Sequence, residues 1–496
     1  MHPKRLGWLD LMFVAMCAVF VLVSALGSPY PFQSDHRVFP LFLFADGKPV
    51  YGDPATGAIA PSLYPPLSFL AYFPALLFRR PGAAITCGKL MAQVYTIVPI
   101  LWLLWSRRNR PGSGRQPTVM LMLATLMVAL TSDILSKMVM LHADAPALFL
   151  CFCAFLLMER FLRNSGSGTL FAMALCCAAA PWAKQPAVAI VLMPAITLLA
   201  LRRWKALAGF SLVYILFQTL LAGLFFFLFR GQRLFFWVFA AVFKQEMGSV
   251  GAGATHGVSG GGALTQMLLV IVFYAVFTRF RLLVHGAEAR QVRLEDIFVL
   301  AAVVELPSSI LGFLFPGADS NALLYFAQPA FIFVLLRLQA DVLPRIAIPT
   351  LRRALAAVTV VCVLWSTTPF ENATSGWSLC YGFDVDLAYK YMRAHPGQVW
   401  FPRYPLTSYL AEGKIYHSEM GFLNLEAMGI PISESHLLAY IPNGGRLIAC
   451  AADCFNLNIP WEEYQKISLA DLRGHWQVFE RTGGGVMDAE PLNTGP

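Results

Sequence analysis

The sequence predicts an all-α polytopic membrane protein with about eleven transmembrane helices and a small α/β domain at its C-terminal end. Three observations carry that expectation. Of 496 residues, 57% are apolar and only 13% charged, and the mean hydropathy is +0.61, beyond what a soluble globular chain carries. The apolar residues gather into runs that approach the roughly 20 residues needed to cross a hydrocarbon layer about 30 Å thick. The cations fall between alternate runs, as they do when Lys and Arg are retained on the cytoplasmic side.

The runs lie near 8–27, 84–105, 117–136, 146–162, 169–183, 186–201, 207–229, 265–284, 296–315, 323–340 and 353–368, the one at 169–183 being the weakest. Asp10 and the lack of a small-residue cleavage site mark the first as a retained span, not a signal peptide. Lys4 and Arg5 place the N terminus inside. Alternation then puts Arg107, Arg108, Arg110 and Arg115 inside, followed by Arg160 and Arg163, then Arg202, Arg203 and Lys205. Arg279, Arg281, Arg290 and Arg293 follow, and finally Arg337, Arg345, Arg352 and Arg353. This works only if Leu67 to Arg80 does not cross. At about 14 residues it is too short and is expected to lie on the outer leaflet as an interfacial helix. The first outer loop thus runs over 28–83.

An odd number of crossings sends the rest of the chain outside, dividing it into a transmembrane domain, 1–368, and an extracytoplasmic domain, 369–496. From Trp377 onward, short alternating runs such as GQVWF and GRLIAC sit among Gly/Pro turns. About 120 residues suffice for a core of its own. The glycine-rich stretch 248–262 reads as a mobile lid or linker, and no repeat of 20–50 residues occurs. The net charge of +9 is explained by the inside loops and does not indicate nucleic-acid binding. Cys17, Cys87, Cys151, Cys153, Cys176, Cys177 and Cys362 read as small core residues. Cys380, Cys450 and Cys454 lie outside, where a disulfide is chemically permitted.

Chemistry is expected on the outer face, where polar residues meet the interface from several hairpins. The first loop offers Asp35, His36 and Arg37 and later Tyr64 in LYPPL; the second offers His142 and Asp144 in HADAP; the third offers Lys184 and Gln185. A fourth segment, 230–264, carries Arg230, Arg233, Lys244 and an aromatic cluster at 235–238. Each has a plain competitor. Asp35 and Asp144 suit helix N-caps, Lys184 suits a snorkelling helix end, His36 and His142 suit polar interface positions, and interfacial aromatics are common. Glu305, inside an apolar run, is costly there and therefore a functional candidate. Asp133 and Lys137 most simply neutralise each other four residues apart. His417 and Glu419 read first as an ordinary surface pair.

These residues, in this order, resemble the GT-C superfamily of integral-membrane glycosyltransferases, in the branch of the protein O-mannosyltransferases and lipid A aminoarabinose transferases (glycosyltransferase family 39-like). The resemblance covers roughly residues 8–340. It rests on a first outer loop opening with Asp35 and closing in a Tyr64-Pro65 turn, on Asp144-Ala145-Pro146 in the second, on the Lys184-Gln185 step, and on an outer C-terminal domain. It implies inverting transfer of a sugar from a polyprenyl-phosphate carrier to a glycan, lipid or protein acceptor at the outer face of a bacterial inner or plasma membrane. On that analogy Asp35 is the general base, and Lys184 stabilises the departing phosphate. Asp144 with His142 orients the substrates, and His36, Arg37, Tyr64 and Gln185 line the site. Members of the superfamily differ in metal use; Asp35 and Asp144 are the ligands available to Mg²⁺ or Mn²⁺. The chain departs from the pattern at Pro65, where relatives place a lysine before the proline, and at Asp319-Ser320-Asn321, where a basic residue is usual. The alternative is a flippase or transporter of a lipid-linked sugar, which should show a repeat of its helices; none is visible.

Overall fold

The stretch expected to form the first loop contains helices of its own. The computed structural model describes residues 31–59, 62–107, 141–244, 273–274, 276–280, 293–314, 323–337, 383–450, 459, 461–472 and 476–482. In it, PFQSDHRVFPLFLFA forms helix α1 (Pro31–Ala45), with Pro40 inside. Val38, Phe39, Leu41 and Phe42 are almost wholly buried, and that burial offsets the backbone hydrogen bond that Pro40 cannot donate. The helix closes in a Schellman-type turn: Gly47 takes φ +67°, and the Lys48 amide reaches back to the Leu43 carbonyl at 2.8 Å.

A short helix α2 (Leu67–Leu70) and a 3₁₀ turn (Phe73–Leu77) follow. Both are too short to span, and Phe73 and Leu77 stand 65% and 82% exposed. Helix α3 (Pro81–Arg107) then opens the bundle. It is joined by α4 (Asp144–Asn164), α5 (Ser167–Ala183), α6 (Leu192–Ala200), α7 (Trp204–Leu228), α8 (Leu294–Leu314) and α9 (Leu324–Arg337). Among the described residues, three segments, Pro81–Leu103, Asp144–Asn164 and Trp204–Leu228, are long and apolar enough to cross a bilayer. Helix α4 is buried along most of its length. By contrast α7 exposes Leu212, Ile215, Leu216, Leu220 and Phe227, the pattern of a face turned to lipid. The expected run 186–201 begins as a 3₁₀ helix (Gln185–Val191) before α6. The expected spans at 8–27, 117–136 and 353–368, most of that at 265–284, the stretch 248–262, the 368/369 boundary, and Asp133, Lys137, Cys380 and Cys454 lie outside the described residues.

Beyond Phe383 come α10 (Phe383–Ala394), α11 (Pro405–Glu412), α12 (Glu419–Ala427), α13 (Glu434–Ala439) and a four-stranded sheet. Its strands are β1 (Val399–Trp400), β2 (Leu447–Cys450), β3 (Tyr464–Ile467) and β4 (Gln477–Arg481), in the order β1-β2-β4-β3. β1 and β2 pair in parallel, and the other pairs are antiparallel. This unit does not keep a core to itself. Val38, Phe39 and Phe42 of α1, Tyr51, Tyr72 and Trp237 belong to the same buried cluster as Trp400, Tyr404, Leu406 and Ile448. The first loop is apolar enough to need a partner, and the C-terminal unit supplies it.

Hydrogen bonds lock the junction. His417 accepts from the Ile59 amide at its Nδ1 (2.8 Å) and donates from Nε2 to the His436 carbonyl (3.0 Å), while His436 Nε2 donates to the Gly57 carbonyl (2.7 Å). The Tyr440 hydroxyl donates to the Thr56 carbonyl at 2.9 Å, and the Ser418 amide to the Ile59 carbonyl at 2.9 Å. His417 therefore serves the backbone, and Glu419 pairs with Arg403. A Cβ on Gly421 would lie 2.1 Å from the Ile59 carbonyl oxygen. Gly421→Ala is expected to destabilise the junction by about 1–3 kcal/mol, read as a lower unfolding temperature and faster proteolysis of the first loop.

The His417 contact also sets a pH dependence. Burial, with His436 beside it, lowers its pKa from 6.5 to about 4, against partial compensation by hydrogen bonds. Between those values the unfolded chain binds more protons than the folded one, so stability rises with pH across the window. The contribution is full above about pH 6.5 and is lost as pH falls toward 4. His417→Gln should flatten that slope in unfolding measured from pH 4 to 7.

Candidate functional site

Six side chains from separate parts of the chain converge at the start of α4. α1 presents Arg37, the turn at 62–66 presents Tyr64, and the residues before α4 present His142. Asp144 is the first residue of α4, Lys184 sits at the break after α5, and Tyr325 lies in the first turn of α9. The break has a local cause. The Lys184-Gln185-Pro186 sequence stops the α-helix before proline, leaving Lys184 extended at φ −156°, ψ 133°. Its side chain is thereby aimed across the bundle.

Asp144 is fully buried and is the centre of the group. Its carboxylate accepts from Lys184 Nζ at 2.6 and 2.7 Å, from the Tyr325 hydroxyl at 3.2 Å and from His142 Nδ1. It makes no side-chain cap to its own helix, whose N-cap is Ala143. The partners fix the imidazole tautomer. Nδ1 carries the proton toward the carboxylate, and Nε2 accepts from Arg37 Nη2 at 2.9 Å. The Tyr72 hydroxyl holds the His142 carbonyl at 2.7 Å. Burial first, and then the Arg37 charge, push the His142 pKa down to about 3, so the ring is neutral.

Toward the surface, Arg37 lies over the Tyr64 ring with its guanidinium carbon 4.1 Å from the centroid, and Nη2 donates to the Tyr64 hydroxyl at 3.2 Å. Lys184 Nζ lies 5.6 Å from the same ring centroid, and His142 meets the ring edge-on at 5.6 Å. Burial raises the Tyr64 pKa, but Arg37 and Lys184 outweigh it, and the phenol is shifted below its ordinary value. Arg37 is half-buried, its Nε has no partner, and no carboxylate pairs with it among the described residues. One lysine, one arginine and one aspartate leave the site with a surplus positive charge at its mouth.

The other expected site residues stand apart from this group. Asp35, fully buried, accepts from the Leu406 amide at 2.7 Å, the Thr407 amide at 3.1 Å and the Thr407 hydroxyl at 2.6 Å. It thus caps α11, a helix far along the chain. Its neighbour His36 makes no hydrogen bond through the buried Nε2 among the described residues, and burial, then Arg37, lowers its pKa to about 3. Gln185 ties the site's walls together by donating to the carbonyls of Leu63 (2.9 Å) and Val238 (3.0 Å). Arg233 pairs with Asp53 at 3.6 Å, and Lys244 lies over Phe236. Glu305, in α8, accepts at one oxygen from Ser308 at 3.0 Å, and its other oxygen has no partner among the described residues.

The sequence reading missed Tyr325 and Tyr72. Tyr325 opens an apolar helix, where interfacial tyrosine is ordinary, so only its contact with Asp144 marks it. Asp35 and Asp144 do not fit a shared divalent ion: their oxygens are taken by N–H and O–H donors from different partners, and Asp144 already has a lysine counter-ion.

Neither a protein-family model nor a curated protein sequence matches the chain. Among solved structures, it is similar to the crystal structure of ArnT from Cupriavidus metallidurans bound to undecaprenyl phosphate, with a TM-score of 0.54 at 13% identity. The match covers 95% of this chain and 98% of that one. At that identity the likeness concerns the fold, which is the GT-C-like fold that the sequence resemblance implies.

Proposed function

We propose that the protein transfers a sugar from a polyprenyl-phosphate donor to an acceptor at the extracytoplasmic face of the membrane, with inversion at the anomeric carbon. The observation that carries this reading is the half-buried Arg37 guanidinium, with no carboxylate partner among the described residues, at the mouth of a site anchored by a buried Asp144–Lys184 pair. A lipid-linked donor keeps its prenyl chain among the helices and presents its phosphate at their ends. Arg37, with its planar fork of donors, suits that phosphate. The similar ArnT structure holds a polyprenyl phosphate, which supports a donor of this class. On the topology read from the basic clusters, the C-terminal unit lies outside, and the disulfide-bonded state of Cys450 agrees with an oxidising compartment.

In this reading Arg37 replaces the cations missing at Pro65 and Asn321 and stabilises charge on the departing phosphate. Lys184, fully engaged with Asp144, fixes that carboxylate instead of meeting the donor. Tyr64 supplies a flat face for the sugar. The test is transfer of labelled glucose, mannose or arabinose from polyprenyl phosphate by purified protein in nanodiscs, with membrane lipid and glycan extracts as acceptors. Arg37→Ala is expected to lower transfer at least about 100-fold, the loss typical of a removed transition-state donor. Arg37→Lys should be intermediate, because a point charge cannot make two parallel bonds. Movement of lipid-linked sugar across vesicles with no covalent product would favour a carrier and sink the proposal.

A further inference from the structure

We infer that His142 is the general base of this transfer, its Nε2 unmasked when the donor phosphate draws the Arg37 guanidinium away. The inference rests on the sugar-transfer reading above. It begins from which proton acceptors are free. Asp35 is saturated by three donors from α11, and Asp144 by Lys184, Tyr325 and His142. A carboxylate so engaged would have to give up buried hydrogen bonds before accepting another proton.

His142 is differently placed. Its Nδ1–H is held by Asp144, which is itself fixed by Lys184, so the ring is oriented and its lone pair lies on Nε2. This is the base-plus-orienting-carboxylate relation of nucleophilic catalysis generalised to a hydroxyl acceptor. The described partner of that lone pair is Arg37 Nη2 at 2.9 Å. The same guanidinium has a buried Nε without a partner among the described residues and is better matched by the paired oxygens of a phosphate than by one imidazole nitrogen. Binding of the donor and release of the base are therefore one event.

The step balances. The acceptor oxygen bonds to the anomeric carbon while its proton passes to Nε2. The bond from that carbon to the phosphate oxygen breaks, its electron pair stays on the phosphate, and Arg37 carries the charge. The imidazolium, facing Asp144, then returns its proton to the released phosphate or to water. The charged and titratable groups around His142 are Arg37 on α1, Tyr64 in the turn, and Asp144, behind which stand Lys184 and Tyr325; Tyr72 contacts only its carbonyl. Burial first and Arg37 second hold the ring's basicity down; replacing the adjacent cation by an Arg37–phosphate pair removes the second of these and raises it.

The test uses the full-length protein in nanodiscs with polyprenyl-phosphate glucose, mannose or arabinose. Hydroxyl acceptors from membrane extract are compared with azide, a nucleophile that has no proton to lose. His142→Asn keeps an N–H where Nδ1 donates to Asp144 and lacks the Nε2 lone pair. It is expected to lower kcat with hydroxyl acceptors about 100- to 10,000-fold, with donor KM nearly unchanged and azide transfer largely retained. The wild-type protein gives a second reading that needs no variant: the acidic limb of kcat should lie at higher pH than that of kcat/KM, since the first reports the donor complex and the second the free enzyme. Retention of more than a tenth of kcat in His142→Asn, equal loss of azide and hydroxyl transfer, or coincident acidic limbs would overturn the assignment while leaving the sugar-transfer reading intact. A wild-type protein that transfers sugar to no acceptor overturns that reading, and this inference with it.

Discussion

Lys184→Met is expected to destabilise the folded protein by about 3–5 kcal/mol, the cost of leaving a buried carboxylate without its counter-ion. Asp144 is fully buried, and the lysine donates to both of its carboxylate oxygens, at 2.6 and 2.7 Å, as its one full counter-charge. The Tyr325 and His142 donors that remain bring no full charge. Such a loss is large beside the marginal stability of most domains, and it should appear as low expression and an early unfolding transition in detergent. The double variant Asp144→Leu with Lys184→Met removes both charges and fills similar volume. It should recover most of the lost stability, because a buried pair replaced by apolar groups is often neutral or better. It should recover no transfer, since His142 then has nothing to hold its tautomer. A double-mutant cycle of unfolding and transfer separates the two roles of the pair. If Lys184→Met unfolds at the wild-type temperature, the pair does not carry the stability assigned to it.

The bundle and the convergence of the site were legible because both depend on composition and on loop order. The apolar runs at 84–105, 146–162, 207–229 and 296–315 return as α3, α4, α7 and α8 within a few residues. Arg37 and Tyr64, expected in the first loop, and His142, Asp144 and Lys184, expected where spans end, come together. What sequence could not show is which polar group faces which. Asp35 and Arg37 are two residues apart on one helix, so their side chains diverge by roughly half a turn; one enters the C-terminal unit and the other the site. The cap expected of Asp35 was local, whereas the observed one joins residues 371 positions apart. Nothing in the sequence announces such a pairing. The same is true of the shared core, because neither α1 nor the C-terminal unit shows by itself that its apolar face is covered by the other.

Asp35→Ala is expected to destabilise that junction by several kcal/mol, with little change in transfer per folded molecule. Removal of the carboxylate leaves the Leu406 amide, the Thr407 amide and the Thr407 hydroxyl buried without their acceptor, at about 1–3 kcal/mol each before relaxation. Asp35→Asn should lie between the wild type and alanine, since its amide oxygen still accepts while its NH₂ faces donors. The titration of Asp35 gives an independent sign. Burial raises its pKa from 3.8 to about 7 against the three hydrogen bonds that lower it. Between those values the folded state binds more protons than the unfolded one, so this group makes stability fall as pH rises. That slope opposes the His417 slope over the window they share, and Asp35→Asn should remove it while His417→Gln removes the other. The decisive measurement pairs unfolding temperature with specific transfer activity. A structural cap predicts a lowered unfolding temperature and activity per folded molecule within about tenfold of wild type. A general base predicts unchanged unfolding with transfer reduced by the 10²–10⁴ that such a group typically contributes, and that outcome would return Asp35 to the chemistry and displace His142 from it.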